Sequence, residues 1–221
     1  MLLRSIHLSI WNYPTEIKGP FSFETRCLCN FVQRHIQTLK IHTPDFSRIV
    51  ISSDLKDIAV NSAGALGVPF APDIERYRCA SPFEKQQYFI EVLTDGLLRA
   101  NELHPLPLVE INAAIQKFVD NGYENNWTHT SKRFHKQGIA AELICRLTMT
   151  EFRLALVVTS RNGKRQEKTI FTSPPDEIFF HHEFKELIIR ADSIVVTKRP
   201  THGDELVCIP LSQFLEAAEH G

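Results

Sequence analysis

The sequence has 221 residues, 43% of them hydrophobic and 23% charged, a balance that excludes a disordered chain or a low-complexity filament. Its formal net charge of −1 excludes the strongly basic balance of a dedicated nucleic-acid binder, so any charged partner must be met by a local patch. A chain of this length can bury a sizeable core, which predicts a single domain over 1–221 with a candidate subdomain seam at 61–80.

Residues 3–11 alternate, with Ile6, Leu8 and Ile10 on one side and His7, Ser9 and Trp11 on the other, which predicts a strand. The turn-forming stretch NYPTEIKGP follows. Leu28, Phe31, Val32, Ile36 and Leu39 then recur at helical spacing and predict a helix over 22–40. Residues 48–52 (RIVIS) predict a second strand, and 61–73, with Gly64, Gly67, Pro69 and Pro72, an irregular loop.

Ser81-Pro82-Phe83-Glu84 is a capping box with proline at the first helical position: the serine oxygen accepts an amide near Glu84, and the Glu84 carboxylate reaches back to the Ser81 amide. The helix it starts carries Phe89, Val92, Leu93, Leu97 and Ala100 on one face. Beyond Pro105 and Pro107, a second helix with Leu108, Ile111, Ile115, Phe118 and Val119 stops at Asn121-Gly122, so the two form an α-hairpin.

From Trp127 the period changes to two. Ala141, Leu143, Cys145, Leu147 and Met149 share one face, Phe152, Leu154, Leu156 and Val158 the next, and Asn162-Gly163 between such strands predicts a hairpin with a type I′ turn that pairs 151–160 with 165–172. Residues 127–172 are thus an antiparallel β-meander. Ser173-Pro174-Pro175-Asp176 predicts a helix running to 190, SIVVTKR and ELVCI a hairpin around Pro200 to Gly203, and SQFLEAAEH a short terminal helix. The fold class expected is α+β: an antiparallel meander sheet packed by helices, with an N-terminal strand-helix-strand and an α-hairpin.

Catalytic constellations are few. Asp176, Glu183 and Lys185 match the proline-aspartate and acid-x-lysine pattern of metal-dependent nucleases, but that chemistry wants the carboxylates and lysine on adjacent strands around a hard cation, and here the stretch opens on a helix cap. His181-His182, with His202 further on, is a weak zinc candidate, since adjacent helical residues point about 100° apart. Five cysteines are spread without the dense, even spacing of a disulfide framework, so reduced thiols are expected, with Cys145 and Cys208 in the core. No nucleophile elbow or phosphate-cradling loop occurs, and no cofactor or metal is called for. MLLRSIHLSIW has too short an apolar stretch for a signal peptide, and no run reaches the ~20 apolar residues of a membrane span, so the cytoplasm is the expected compartment.

One charged cluster stands out. Lys132, Arg133 and Lys136 are expected on the first meander strand, and Arg161, Lys164, Arg165 and Lys168 around the Asn162-Gly163 turn, giving a basic rim suited to an acidic protein face or RNA. The near-neutral chain favours the plainer reading, that edge strands and hairpin tips carry Lys and Arg to stay soluble and to block edge pairing. With a near-neutral chain, a protein partner is favoured over nucleic acid.

The initial strand and helix, the helical pair with Gly96-Leu97-Leu98-Arg99-Ala100, and the meander with its Arg161-Asn162-Gly163-Lys164 turn together resemble small bacterial proteins of the toxin-immunity kind. That resemblance implies a cytosolic, non-enzymatic protein that blocks a toxin domain by stoichiometric binding. The runner-up readings are a metal-dependent nuclease or hydrolase using Asp176, Glu183 and Lys185, and an RNA-binding module using the basic hairpin.

Overall fold

The computed structural model describes residues 1–199 and 205–215 and divides the chain into two compact units, 1–125 and 126–221. The fold class is α+β. The boundary falls at Asn125/Asn126, and residues 61–80, the candidate seam, lie inside the first unit because a strand and a helix of that unit are built from them.

In the first unit, β1 (Ser5–Ser9), β2 (Arg48–Ser52) and β4 (Ala65–Pro69) pair in parallel, and the short β3 (Ala59–Val60) runs antiparallel to β4, giving the order β1-β2-β4-β3. A parallel pair needs a long crossover, which α1 (Thr15–Leu39) supplies between β1 and β2. Ile6, Leu8, Ile49, Ile51, Leu66 and Val68 are all buried. β4 corrects the loop expected at 61–73. Its glycine and proline read as punctuation, yet Ala65 to Val68 are buried as a parallel strand covered on both faces requires, and a Cβ on Gly67 would stand 2.9 Å from Leu55 Cδ1.

Helix α1 also begins earlier than expected, at Thr15, and runs through Pro20. Proline forfeits one helical hydrogen bond. The loss is offset because helical continuity carries Phe21 into an aromatic cluster, edge-on to Tyr77 at 5.2 Å and to Phe89 at 5.3 Å. α2 (Ile74–Cys79), capped by Asp73 and absent from the sequence reading, supplies Tyr77. Glu24 of α1 accepts from the Tyr77 hydroxyl at 2.7 Å and from Lys85 Nζ at 2.8 Å, which ties three helices together.

α3 (Pro82–Leu103) starts on the expected capping box, both halves of which are formed, and α4 (Leu108–Asp120) completes the hairpin. Gly96 is where α3 meets the sheet, because a Cβ there would stand 2.5 Å from Ile51 Cδ1. At the end of this unit the buried Asn125 donates to the Cys27 carbonyl at 2.9 Å and to Asn30 Oδ1 at 3.0 Å while accepting from Arg34 at 2.6 Å, so its amide is fully used.

The second unit contains the expected meander, β5 (Asn125–Phe134), β6 (Ile139–Leu147), β7 (Phe152–Ser160) and β8 (Arg165–Ser173), in that spatial order. Leu143 faces Leu156 and Cys145 faces Leu154. Met149 falls in the β6–β7 turn instead of extending that face. The inner face packs on a second antiparallel sheet, β9 (Leu187–Arg190), β10 (Ser193–Thr197) and β11 (Glu205–Pro210), with two short helices, α5 (Glu177–Phe180) and α6 (Ser212–Leu215). The helix expected over 176–190 is one turn only. Asp176 caps it, and Phe180 and Phe184 then turn in to stack on Phe152, with centroids 3.8 Å and 5.8 Å away, which frees 187–190 to extend as β9. The loop of the last hairpin, Pro200 to Gly203, and the terminal helix beyond Leu215 lie outside the described residues.

Turn chemistry differs from expectation in an instructive way. The Asn162-Gly163 hairpin forms, but among the two only Gly163 has positive φ, at +84°, and its amide donates to Ser160. That is a type I turn followed by a left-handed glycine. The two-residue turn with both φ positive instead joins β9 to β10, at Ala191 (φ 41°) and Asp192 (φ 59°).

A candidate binding site at the turn end of the second unit

Of the seven rim cations, the structure gathers three into one cleft. The β5–β6 turn brings Lys136 and the β7–β8 turn brings Arg161 and Lys164 to an open depression of about 360 Å³, completed by Gln137, Asn162 and Phe214. Lys136 lies in that turn and not, as expected, on the strand before it. Arg133 lines an adjoining depression of about 480 Å³ together with His135, Ala140, Thr159 and Arg161. The turn scaffold is rigidly bonded: the Lys164 carbonyl accepts from the Ser160 amide at 3.0 Å and hydroxyl at 3.1 Å, and Asn162 Oδ1 accepts from the Lys164 amide at 3.2 Å.

The other three cations line none of these depressions. Lys132 Nζ pairs with Glu186 at 3.3 Å, Lys168 Nζ donates to Gln213 Oε1 at 3.2 Å, and Arg165 opens β8 opposite Thr159. Near it, Arg146 donates two hydrogen bonds to Glu167 and so holds that carboxyl below its ordinary range, with Arg165 contributing least.

A third depression, about 690 Å³, opens on the far side of Lys136 and Gln137 and is walled by Asp192, Ser193, Pro210 and Ser212. None of these residues was a candidate from sequence. They arrive from β9–β10 and from the end of β11, and only the stacking of the second sheet on the meander places them beside the basic turns.

The residues of the nuclease pattern are each engaged locally. Asp176 accepts the Ile178 amide at 3.1 Å as a helix cap, Glu183 pairs with Lys198 at 2.9 Å, and Lys185 Nζ lies 3.8 Å from its neighbour Glu186. Among the described residues, no group of three His, Cys, Asp or Glu side chains is arranged to hold a metal ion. The rings of His181 and His182 stand edge-on 5.0 Å apart, and His202 lies outside the described residues. Burial, then the Arg199 and His182 charges, push His181 below its ordinary value.

The cysteines carry thiols and no disulfide. Burial, reinforced by Cys29, raises Cys27 to about 12, the opposite of an activated nucleophile. Cys145 is in the core as expected. Cys208 is exposed, a correction that follows from β11 turning Ile209 inward and its neighbours out. Among the described residues, no helix is long and apolar enough to cross a membrane.

No family model, curated protein or solved structure matches the chain.

Proposed function

We propose that this chain is a non-enzymatic binding protein, that it acts by stoichiometric contact through the basic turn end of its second unit, and that its partner is a protein with an acidic face. The supporting observation is the convergence of Lys136, Arg161 and Lys164 on one cleft, with Arg133 beside it, in a chain whose net charge is only −1. Such a patch steers and orients an oppositely charged surface without a global field. The resemblance to toxin-immunity proteins names the class that fits: a cytoplasmic protein that blocks a toxin domain by occupying it. Thiols in place of disulfides agree with a reducing compartment.

The test is retention of a partner from a lysate of the source cells on the immobilised full chain and on the variant Lys136→Glu, Arg161→Glu, Lys164→Glu. A protein retained by the first, eluted by salt and lost by the second is expected. A partner held equally by both overturns this use of the basic end.

A further inference from the structure

The three depressions at the turn end share walls. Lys136 and Gln137 line both the first and the third, and Gly138, Ser160 and Arg161 line both the first and the second. Taken together they make a stepped trough from the β9–β10 turn to the ends of β6 and β7, with Lys136 and Gln137 as the shared wall between the first and third.

Arg161 sits at the junction of two of them. Gly138 takes φ +68°, which favours glycine, and a Cβ there would meet Arg161 Nε at 3.4 Å and Cζ at 3.6 Å, ordinary contact distances, so the guanidinium lies close over the turn. Among the described residues it has no carboxylate within ion-pair range. Arg161 is exposed at the turn, and its guanidinium is a two-pronged donor, which suits a carboxylate better than a lysine ammonium does.

The chemistry of the trough is one-sided. Asp192 is the single carboxylate among its described lining residues, at one end, and the rest of the polar lining is cationic, amide or hydroxyl. Phe134 and Phe214 belong to the core cluster or pack against it, which leaves only His135 as an exposed ring where a single-stranded nucleic acid would want several stacking faces.

We propose that the trough receives an extended acidic segment of a partner protein, with Arg161 as the two-pronged receptor for one carboxylate and Lys136 and Lys164 as flanking charges. Asp192 sets the direction, because the end of the segment that reaches it must be neutral or basic. This rests on the binding role proposed above and adds the form of the ligand and the residue that reads it.

The experiment measures fluorescence anisotropy of a fluorescein-labelled hexaglutamate peptide against the full chain, with an oligothymidylate of equal charge as comparison. Parent protein is expected to bind the peptide more tightly than the oligonucleotide. Arg161→Lys, which keeps the charge, is expected to weaken peptide binding about tenfold, the worth of one good charge-assisted pair. Lys164→Arg should change it less than about twofold. Parent-like binding by Arg161→Lys, alongside loss of binding in the triple charge reversal, overturns the receptor role of Arg161 and leaves the binding role standing. Equal binding by the triple reversal overturns both. Tighter binding of the oligonucleotide, or no binding of the peptide, overturns the acidic segment as ligand.

Discussion

Replacing Gly96 by alanine should destabilise the first unit, although helix propensity alone says the reverse. In an exposed helix interior the change is worth about 0.5–1 kcal/mol in favour of alanine. At this position the new Cβ would stand 2.5 Å from Ile51 Cδ1, 2.8 Å from Cγ1 and 3.1 Å from Cγ2. Ile51 is fully buried on β2 and β-branched, so it has little rotamer freedom with which to retreat. Relief requires α3 or β2 to shift, and overpacking of this kind costs about 1–3 kcal/mol, which leaves a net loss of up to about 2.5 kcal/mol. Removing Cδ1 by Ile51→Val costs about 0.5–1.5 kcal/mol by itself. In the double variant it should cost less than in the parent, because the 2.5 Å contact goes while the Cγ1 contact at 2.8 Å stays, a coupling of up to about 1 kcal/mol. Urea titration followed by circular dichroism measures all four corners of the cycle, and amide exchange in β2 localises the change. A Gly96→Ala protein more stable than the parent, or a cycle that is additive, would refute the contact on which the packing of α3 against the sheet rests.

Two further variants test the second unit. Ala191 and Asp192 both hold positive φ, so Ala191→Asn with Asp192→Gly should stabilise the β9–β10 hairpin by about 1 kcal/mol, read as a raised urea midpoint; a lowered midpoint would contradict the turn assignment. His181 is held below its ordinary value of 6.5, first by burial and then by Arg199 and His182, so the unfolded chain binds its proton more readily than the folded one. Stability should therefore fall as pH descends through 6.5 towards the lowered native value, and His181→Gln should flatten that slope in urea midpoints.

What could be read from the sequence was local and strongly periodic. The Ser81/Glu84 capping box, RIVIS as β2 and the inward faces of β6 and β7 needed no tertiary information, because hydrogen bonding within four residues or a period-2 pattern specifies each of them. What failed was decided by distant packing. Pro20 stays helical because Phe21 is buried among Tyr77 and Phe89, β4 is a strand because both its faces are covered, and 187–190 extends because Phe180 and Phe184 are drawn onto Phe152. Asn-Gly announced the hairpin correctly and its turn type wrongly, while the turn that needs two positive φ values is spelled Ala-Asp. The site divides in the same manner. Arg161, Lys164 and Lys136 were visible as a charge cluster, but Gln137, Asp192 and Ser212 become neighbours only when two sheets stack.

The basic trough is the centre of the functional reading, and its most direct test is partner retention by the full chain against the Lys136→Glu, Arg161→Glu, Lys164→Glu variant at matched salt. A single acidic protein retained in stoichiometric amount by the parent and released by the variant is the expected result. Retention of the same partner by both proteins, with the variant folded by circular dichroism, would contradict it.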